Sequence, residues 1–170
     1  MVKNVTRRHF LKTIGIGGSL VVGAAVLAAC GGGGGGAAPA SGAPGAPTTL
    51  DIGSKGESLE YDKTALSAPA SAKITLNLKN NSAAASNLLH NWVLLKAGAS
   101  PDDVANDGII AGEAKGYIKP GDDRILAHTN LVKGGETGSV TFDAPAAGAY
   151  DYLCTFPGHH VLMKGKLTIG

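Results

Sequence analysis

The stretch "AYDYLCTFPGHHVLMKGKLTIG" (149–170) holds two strand-like runs joined by a turn that carries unusual chemistry. "AYDYLC" (149–154) and "GKLTIG" (165–170) each have the apolar, β-branched or aromatic content of a short strand. Between them, "TFPG" places Pro157 and Gly158 where the chain must reverse. Cys154, His159, His160 and Met163 fall within ten residues. Upstream, "KITLNLKN" (73–80) alternates Ile74, Leu76 and Leu78, and "HNWVLL" (90–95) is a compact apolar run. "RILAHT" (124–129) and "GSVTFD" (138–143) continue the series, with "TTLDIG" (48–53) and "ESLEYD" (57–62) as its opening. Gly, Pro, Asn and Asp clusters separate these runs. This spacing predicts an all-β, Greek-key sandwich of seven or eight strands.

One segment breaks the pattern. "SPDDVANDGIIAGEAKGYI" (100–118) offers Ser100 as N-cap, Pro101 at the first helical position and Asp103 in the first turn. That is a helix-start signature and predicts a short helical insertion around 101–116.

The N-terminal part differs in composition. Residues 1–48 hold Lys3, Arg7, Arg8 and Lys12 and no acid. Setting those four aside from the 15 basic residues leaves 11 against 13 acids, so residues 49–170 carry a net of −2. A nucleic-acid surface needs a clustered basic face, and this balance does not supply one. "TRRHFLK" (6–12), followed by the apolar, small-residue run 13–29, reads as a twin-arginine export signal. The run ends in "LAAC" (27–30), which resembles a lipoprotein lipobox and makes Cys30 the expected lipid anchor. An uncleaved membrane anchor and cleavage without lipid are the alternatives. Residues 31–49, "GGGGGGAAPASGAPGAPTT", have no charge and no large apolar group, so a flexible linker is expected. The expected organisation is signal 1–30, linker 31–49 and folded domain 50–170. The product would be exported, held as a membrane lipoprotein on the periplasmic or cell-surface face.

After the signal, the domain keeps one cysteine, one methionine and four histidines: His90, His128, His159 and His160. A buried structural thiol explains a lone cysteine, and core packing explains a lone methionine. Their closeness, with imidazoles between them at a tight turn, points elsewhere. A thiolate, two imidazoles and a distant thioether describe a blue-copper electron-transfer site. Cys154 at a strand end and a histidine beyond the turn can point at one centre, with Met163 approaching from another side. The second imidazole must come from elsewhere, and His90, beside strand-like sequence, is the best placed. Zinc also accepts Cys and His.

Residues 87–170 resemble the azurin and auracyanin type of cupredoxin. The resemblance rests on "HNWVL" (90–94), "YIKPGDDRILAHT" (117–129), "SVTFD" (139–143) and "CTFPGHHVLMKGKLTI" (154–169). It implies one copper ion cycling between Cu(I) and Cu(II), held by His90, Cys154, His159 and Met163. By the family spacing His159 rather than His160 binds; His160 is left as a surface neighbour, and His128 is placed away from the metal. The resemblance also gives Asn91 a bracing role and has the backbone N–H groups of Asn91 and Phe156 donate to the Cys154 sulfur. Two departures stand out. Leu89 occupies the place of the glycine that usually precedes the first histidine, so four ligands are expected. The usual N-terminal disulfide has no counterpart.

The implied function is single-electron transfer between membrane-bound redox partners such as cytochromes or a photosynthetic reaction centre, by a lipid-tethered monomer. An apolar patch of Leu88, Phe156, Pro157, Val161 and Leu162 around a near-surface His159 would serve docking. Copper storage or delivery with the same ligands is the alternative. A copper enzyme would need further histidine-rich sites, and only His128 and His160 remain.

Overall fold

The computed structural model describes residues 45–170. The export signal, the Cys30 lipobox and most of the expected linker lie outside those residues. Among the described residues, no helix is long and apolar enough to cross a membrane. Eight strands, β1 (Gly45–Gly53), β2 (Ala65–Ala68), β3 (Ala72–Lys79), β4 (Val93–Leu95), β5 (Ile125–His128), β6 (Thr137–Asp143), β7 (Gly148–Leu153) and β8 (Lys164–Ile169), form two sheets. The smaller sheet has the order β1-β3-β6 and the larger β2-β8-β7-β4-β5. The result is the expected Greek-key sandwich, closed around one main core.

That core follows from the alternation. Ile74, Leu76 and Leu78 of β3 point inward and are fully buried, against Leu94, Tyr152 and Leu167 from the other sheet and Trp92 just before β4. β4 is buried on both faces, which explains why its sequence is a continuous apolar run rather than an alternating one. Leu94 faces the sandwich core, while Val93 and Leu95, with Leu153, pack under Val104 and Ala105 of helix α1 (Pro101–Ala111). The helix starts as expected: Ser100 Oγ accepts from Asp103 N at 3.3 Å. It ends earlier than 116, because Gly112 takes a φ of 80° and a separate 3-10 turn, Glu113–Lys115, follows.

Four details differ from expectation. β1 begins at Gly45, inside the stretch assigned to the linker, because its backbone pairs in parallel with β3. "ESLEYD" is not a strand. It is a reversal closed by Lys55 N to Glu60 O (3.0 Å) and Asp62 N to Gly53 O (2.7 Å). The alternation of Leu59 and Tyr61 there anchors a turn rather than a ladder. The eighth strand is instead β2, "ALSA", paired in parallel with β8. Its small residues give only a weak strand signal. The ladder in "HNWVLL" begins only at Val93, so His90, Asn91 and Trp92 precede it.

Topology delivers the chemistry-bearing residues to one place. β4, β7 and β8 are neighbours, with Val93 opposite Leu153 and Leu153 opposite Lys164. The residue just before β4's entry, the one just after β7's exit and the one just before β8 therefore lie at the same end of the larger sheet. These positions fall to His90–Trp92, Cys154 and Met163.

Candidate metal centre

His90, Cys154 and His159 converge there. One ligand atom from each lies within 4.8 Å of the other two. The two Nδ1 atoms are 3.2 Å apart, and Cys154 Sγ is 3.6 Å from His159 Nδ1. Donors bonded to one ion at about 2.0–2.3 Å in trigonal array would be separated by about 3.5–3.8 Å. The Sγ–Nδ1 spacing falls within that range and the Nδ1–Nδ1 spacing just below it, so the three donors are close enough to share a single ion. His90 and Cys154 have no solvent exposure and His159 has 3 %. His159 is thus more deeply set than the near-surface place expected for it.

Local backbone bonds fix this corner. Cys154 N donates to Met163 O at 2.9 Å, and Met163 N donates to His159 O at 2.8 Å. His159 N in turn donates to Phe156 O at 3.0 Å. Gly158, with φ 81°, permits the reversal between Pro157 and the 3-10 turn His159–Val161. Met163 is fully buried.

Asn91 joins the two loops. Its Oδ1 accepts from Thr155 N at 2.8 Å, and its Nδ2 donates to Thr155 Oγ1 (2.8 Å) and Gly116 O (3.1 Å). The Phe156 ring lies 4.6 Å from the His159 ring and meets Tyr117 edge-on at 5.2 Å.

Burial controls the protonation of all three donors. Removal from water pushes the Cys154 thiol up to about 12, opposed by the backbone N–H groups of Asn91 and Phe156. The same loss of hydration brings His90 down to about 4, helped by the nearby His159. His159 is lowered by burial as well. At neutral pH the three groups are a thiol and two neutral imidazoles.

The other histidines separate clearly. His128 is exposed, with Nδ1 3.1 Å from Thr129 O, away from this cluster as expected. His160 is less of a surface residue than expected. Its side chain is 15 % exposed, and Nε2 lies 3.8 Å from an Asp102 carboxylate oxygen at the start of α1. The sequence reading missed Thr155 as Asn91's partner, although it sits inside the ligand motif. It also missed Gly116, whose backbone carbonyl leaves no trace in residue type.

A two-sheet Greek-key sandwich that buries one thiol and two imidazoles at one end defines a mononuclear copper protein of the cupredoxin class. The chain matches the sequence profile of copper binding proteins of the plastocyanin/azurin family over residues 48–170 and belongs to that family. It is 48 % identical to auracyanin-A of Chloroflexus aurantiacus over 124 residues, 72 % of this chain and 75 % of that one. It is 43 % identical to azurin-1 of Alcaligenes xylosoxydans xylosoxydans over 129 residues, 73 % of this chain and 98 % of that one. The solved structure of auracyanin A, described as a "blue" copper protein of a green thermophilic photosynthetic bacterium, matches with a TM-score of 0.69 over 73 % of this chain and 99 % of its own. Reduced auracyanin from Roseiflexus castenholzii matches at 37 % identity with a TM-score of 0.67, over 74 % and 99 %. The chain is accordingly a copper electron-transfer protein of this type and not an enzyme.

Proposed function

We propose that this chain is a type 1 blue-copper carrier in which His90 Nδ1, His159 Nδ1, Cys154 Sγ and the Met163 sulfur would hold the ion. The observation that carries this reading is the burial of the imidazole and thiol donor atoms within one ion's reach. Copper bound there would supply one-electron chemistry. The chain's residues do the rest. The backbone N–H groups of Asn91 and Phe156 stabilise negative charge on the Cys154 sulfur. The Asn91–Thr155 bonds keep the loop carrying His90 and the loop carrying Cys154 at fixed separation. Trp92 and Tyr152 fill the space beneath and exclude water. A frame held this firmly changes little when the charge at its centre changes by one, which favours fast exchange of electrons.

Docking falls to the apolar residues around the ligand loop. Val161 and Leu162 are 58 % and 61 % exposed, and Leu88, Phe156 and Pro157 are partly so. A small apolar patch suits brief encounters with redox proteins. Export by the twin-arginine signal and a lipid on Cys30 would keep the carrier on the outer face of a membrane, near membrane-bound partners. Storage or delivery would favour donors open to exchange with solvent, whereas these are closed off.

The visible and electron paramagnetic resonance spectra of the purified chain with Cu(II) test the reading. An intense blue band with narrow copper hyperfine splitting is expected. Colourless, weak binding with a freely titrating thiol would overturn it.

A further inference from the structure

We propose that Asn80 and Tyr61 are positioning residues for the metal site: their side-chain hydrogen bonds hold the His90–Asn91 corner where the ion needs it. This inference rests on the reading of His90 as a ligand. It starts from a gap in the sheet. The β4 ladder begins at Val93, so residues 88–92 have no continuous strand partner. Their backbone groups are held one at a time, largely by side chains. Trp92 N donates to Thr129 Oγ1 at 3.0 Å, and His90 is joined to Val132 by a single isolated bridge.

Asn80 anchors that bridge from outside. Its Nδ2 donates to Val132 O at 2.9 Å and to Leu88 O at 2.8 Å. Val132 O is also the acceptor for His90 N at 3.1 Å, and Val132 N donates to His90 O at 2.7 Å. Asn80 and His90 thus share one carbonyl. The Asn80 Oδ1 accepts from Ser54 Oγ (3.3 Å) and Ser82 N (3.0 Å). An asparagine amide has two donor hydrogens and two acceptor sites, and all four are used. Asn80 has no solvent exposure.

Tyr61 holds the next residue. Its hydroxyl donates to Asn91 O at 2.6 Å, and its ring packs edge-on against Tyr152 at 5.7 Å. It is 1 % exposed, and burial raises its phenol well above the usual range, so it remains an O–H donor. Tyr61 lies far in sequence from His90, and Asn80 reaches the corner from just past the end of β3. Together they fix the carbonyls on either side of His90: Leu88 before it, Asn91 after it. Neither touches the three donor atoms, so both act through the backbone of the corner.

A plain structural role would satisfy the same carbonyls, and the two roles separate by experiment. In the full-length chain, Tyr61→Phe removes only the hydroxyl, and Asn80→Ser removes the paired donors. Ile74→Val in the β3 core serves as the comparator for a loss of stability alone. Copper affinity is measured by competition with a chelator, alongside the copper spectrum of the loaded protein and the His90 ring resonances of the metal-free protein. Residues that orient metal ligands typically change affinity by about 10–100-fold when removed. The expected result is roughly tenfold weaker copper binding in Tyr61→Phe and Asn80→Ser, with shifted His90 resonances and an altered copper spectrum. Ile74→Val should lower the melting temperature and leave all three unchanged. Affinity within twofold of the parent in Tyr61→Phe, with unmoved His90 resonances, would overturn the inference. A His90→Ala chain that kept the parent's blue band would overturn the ligand reading and this inference with it; a parent site lost in His90→Ala but untouched by Tyr61→Phe would overturn this inference alone.

Discussion

Gly108 gives a test in which helix propensity and packing predict opposite signs. It lies in the interior of α1, where replacing Gly by Ala ordinarily stabilises by about 1 kcal/mol. Here an added Cβ would run into the carbonyl oxygen of Tyr117, with the Tyr117 carbonyl carbon at 3.1 Å and Thr155 Cβ at 3.6 Å. The obstructing atoms are backbone, so the helix and the 116–117 segment must part. Overpacking of this kind costs roughly 1–3 kcal/mol. Subtracting the propensity gain leaves a net loss of about 1 kcal/mol, or about 4 °C in melting temperature. The displacement also has a functional direction. Gly116 O accepts from Asn91 Nδ2, and Tyr117 sits edge-on against Phe156. Moving that segment should therefore disturb the ligand loops. Thermal melts and the copper absorption spectrum of Gly108→Ala measure both effects. A melting temperature raised by about 4 °C, with an unshifted absorption band, would refute the argument that close approach selects glycine here.

Asn91→Ala removes three hydrogen bonds and leaves Thr155 N unsatisfied in a buried place. A loss of about 3 kcal/mol is expected in urea melts; a loss under 1 kcal/mol would show that the two loops do not depend on this brace. On the proposed ligand set, Met163→Leu should retain copper and raise the reduction potential through loss of a sulfur donor, as read by voltammetry; a large fall would exclude Met163 from the ligands. Arg124 links Asp107 of α1 to Asp122 in the turn before β5 and, by donating to Asp122, lowers that carboxyl to about 2. A carboxylate depressed in the folded state stabilises above its unfolded pKa of about 3.9 and ceases to as pH falls through about 2. Arg124→Ala should thus trail the parent in stability at pH 6, with the gap closing between about pH 4 and pH 2. A gap that does not vary with pH would sink this assignment.

Much of this architecture can be read from local pattern. The alternation of Ile74, Leu76 and Leu78 gives β3 and its buried face, and the Ser100–Pro101 pair gives the start of α1. The ligand loop is legible because sulfur and imidazole are scarce in this chain, so their coincidence at a Pro-Gly turn carries information. What escaped depends on partners distant in sequence. Tyr61 looks like the inward residue of a strand, yet it serves a carbonyl 30 residues away. Asn80 looks like the polar end of β3, yet its amide reaches Val132, 52 residues on. β2 escaped because "ALSA" owes its place to pairing with β8 rather than to its own propensity. Gly108 reads as a weak point in a helix until the Tyr117 carbonyl is seen against it.

The same burial that hides these donors also keeps the frame sound without a counter-ion. Desolvation disfavours whichever form of a group is charged, so it raises the Cys154 thiol and lowers both histidines. The three groups are then neutral near pH 7, and no unpaired buried charge pushes them apart. The side-chain hydrogen bonds of Asn91, Asn80 and Tyr61 go to backbone, Thr155 and Ser54, not to the three donor atoms. The imidazole donors therefore meet only one another and the Cys154 sulfur, while their supports are saturated. That division of labour would let the corner exchange the Cys154 thiol proton for a positive ion without rebuilding the bonds that position its loops.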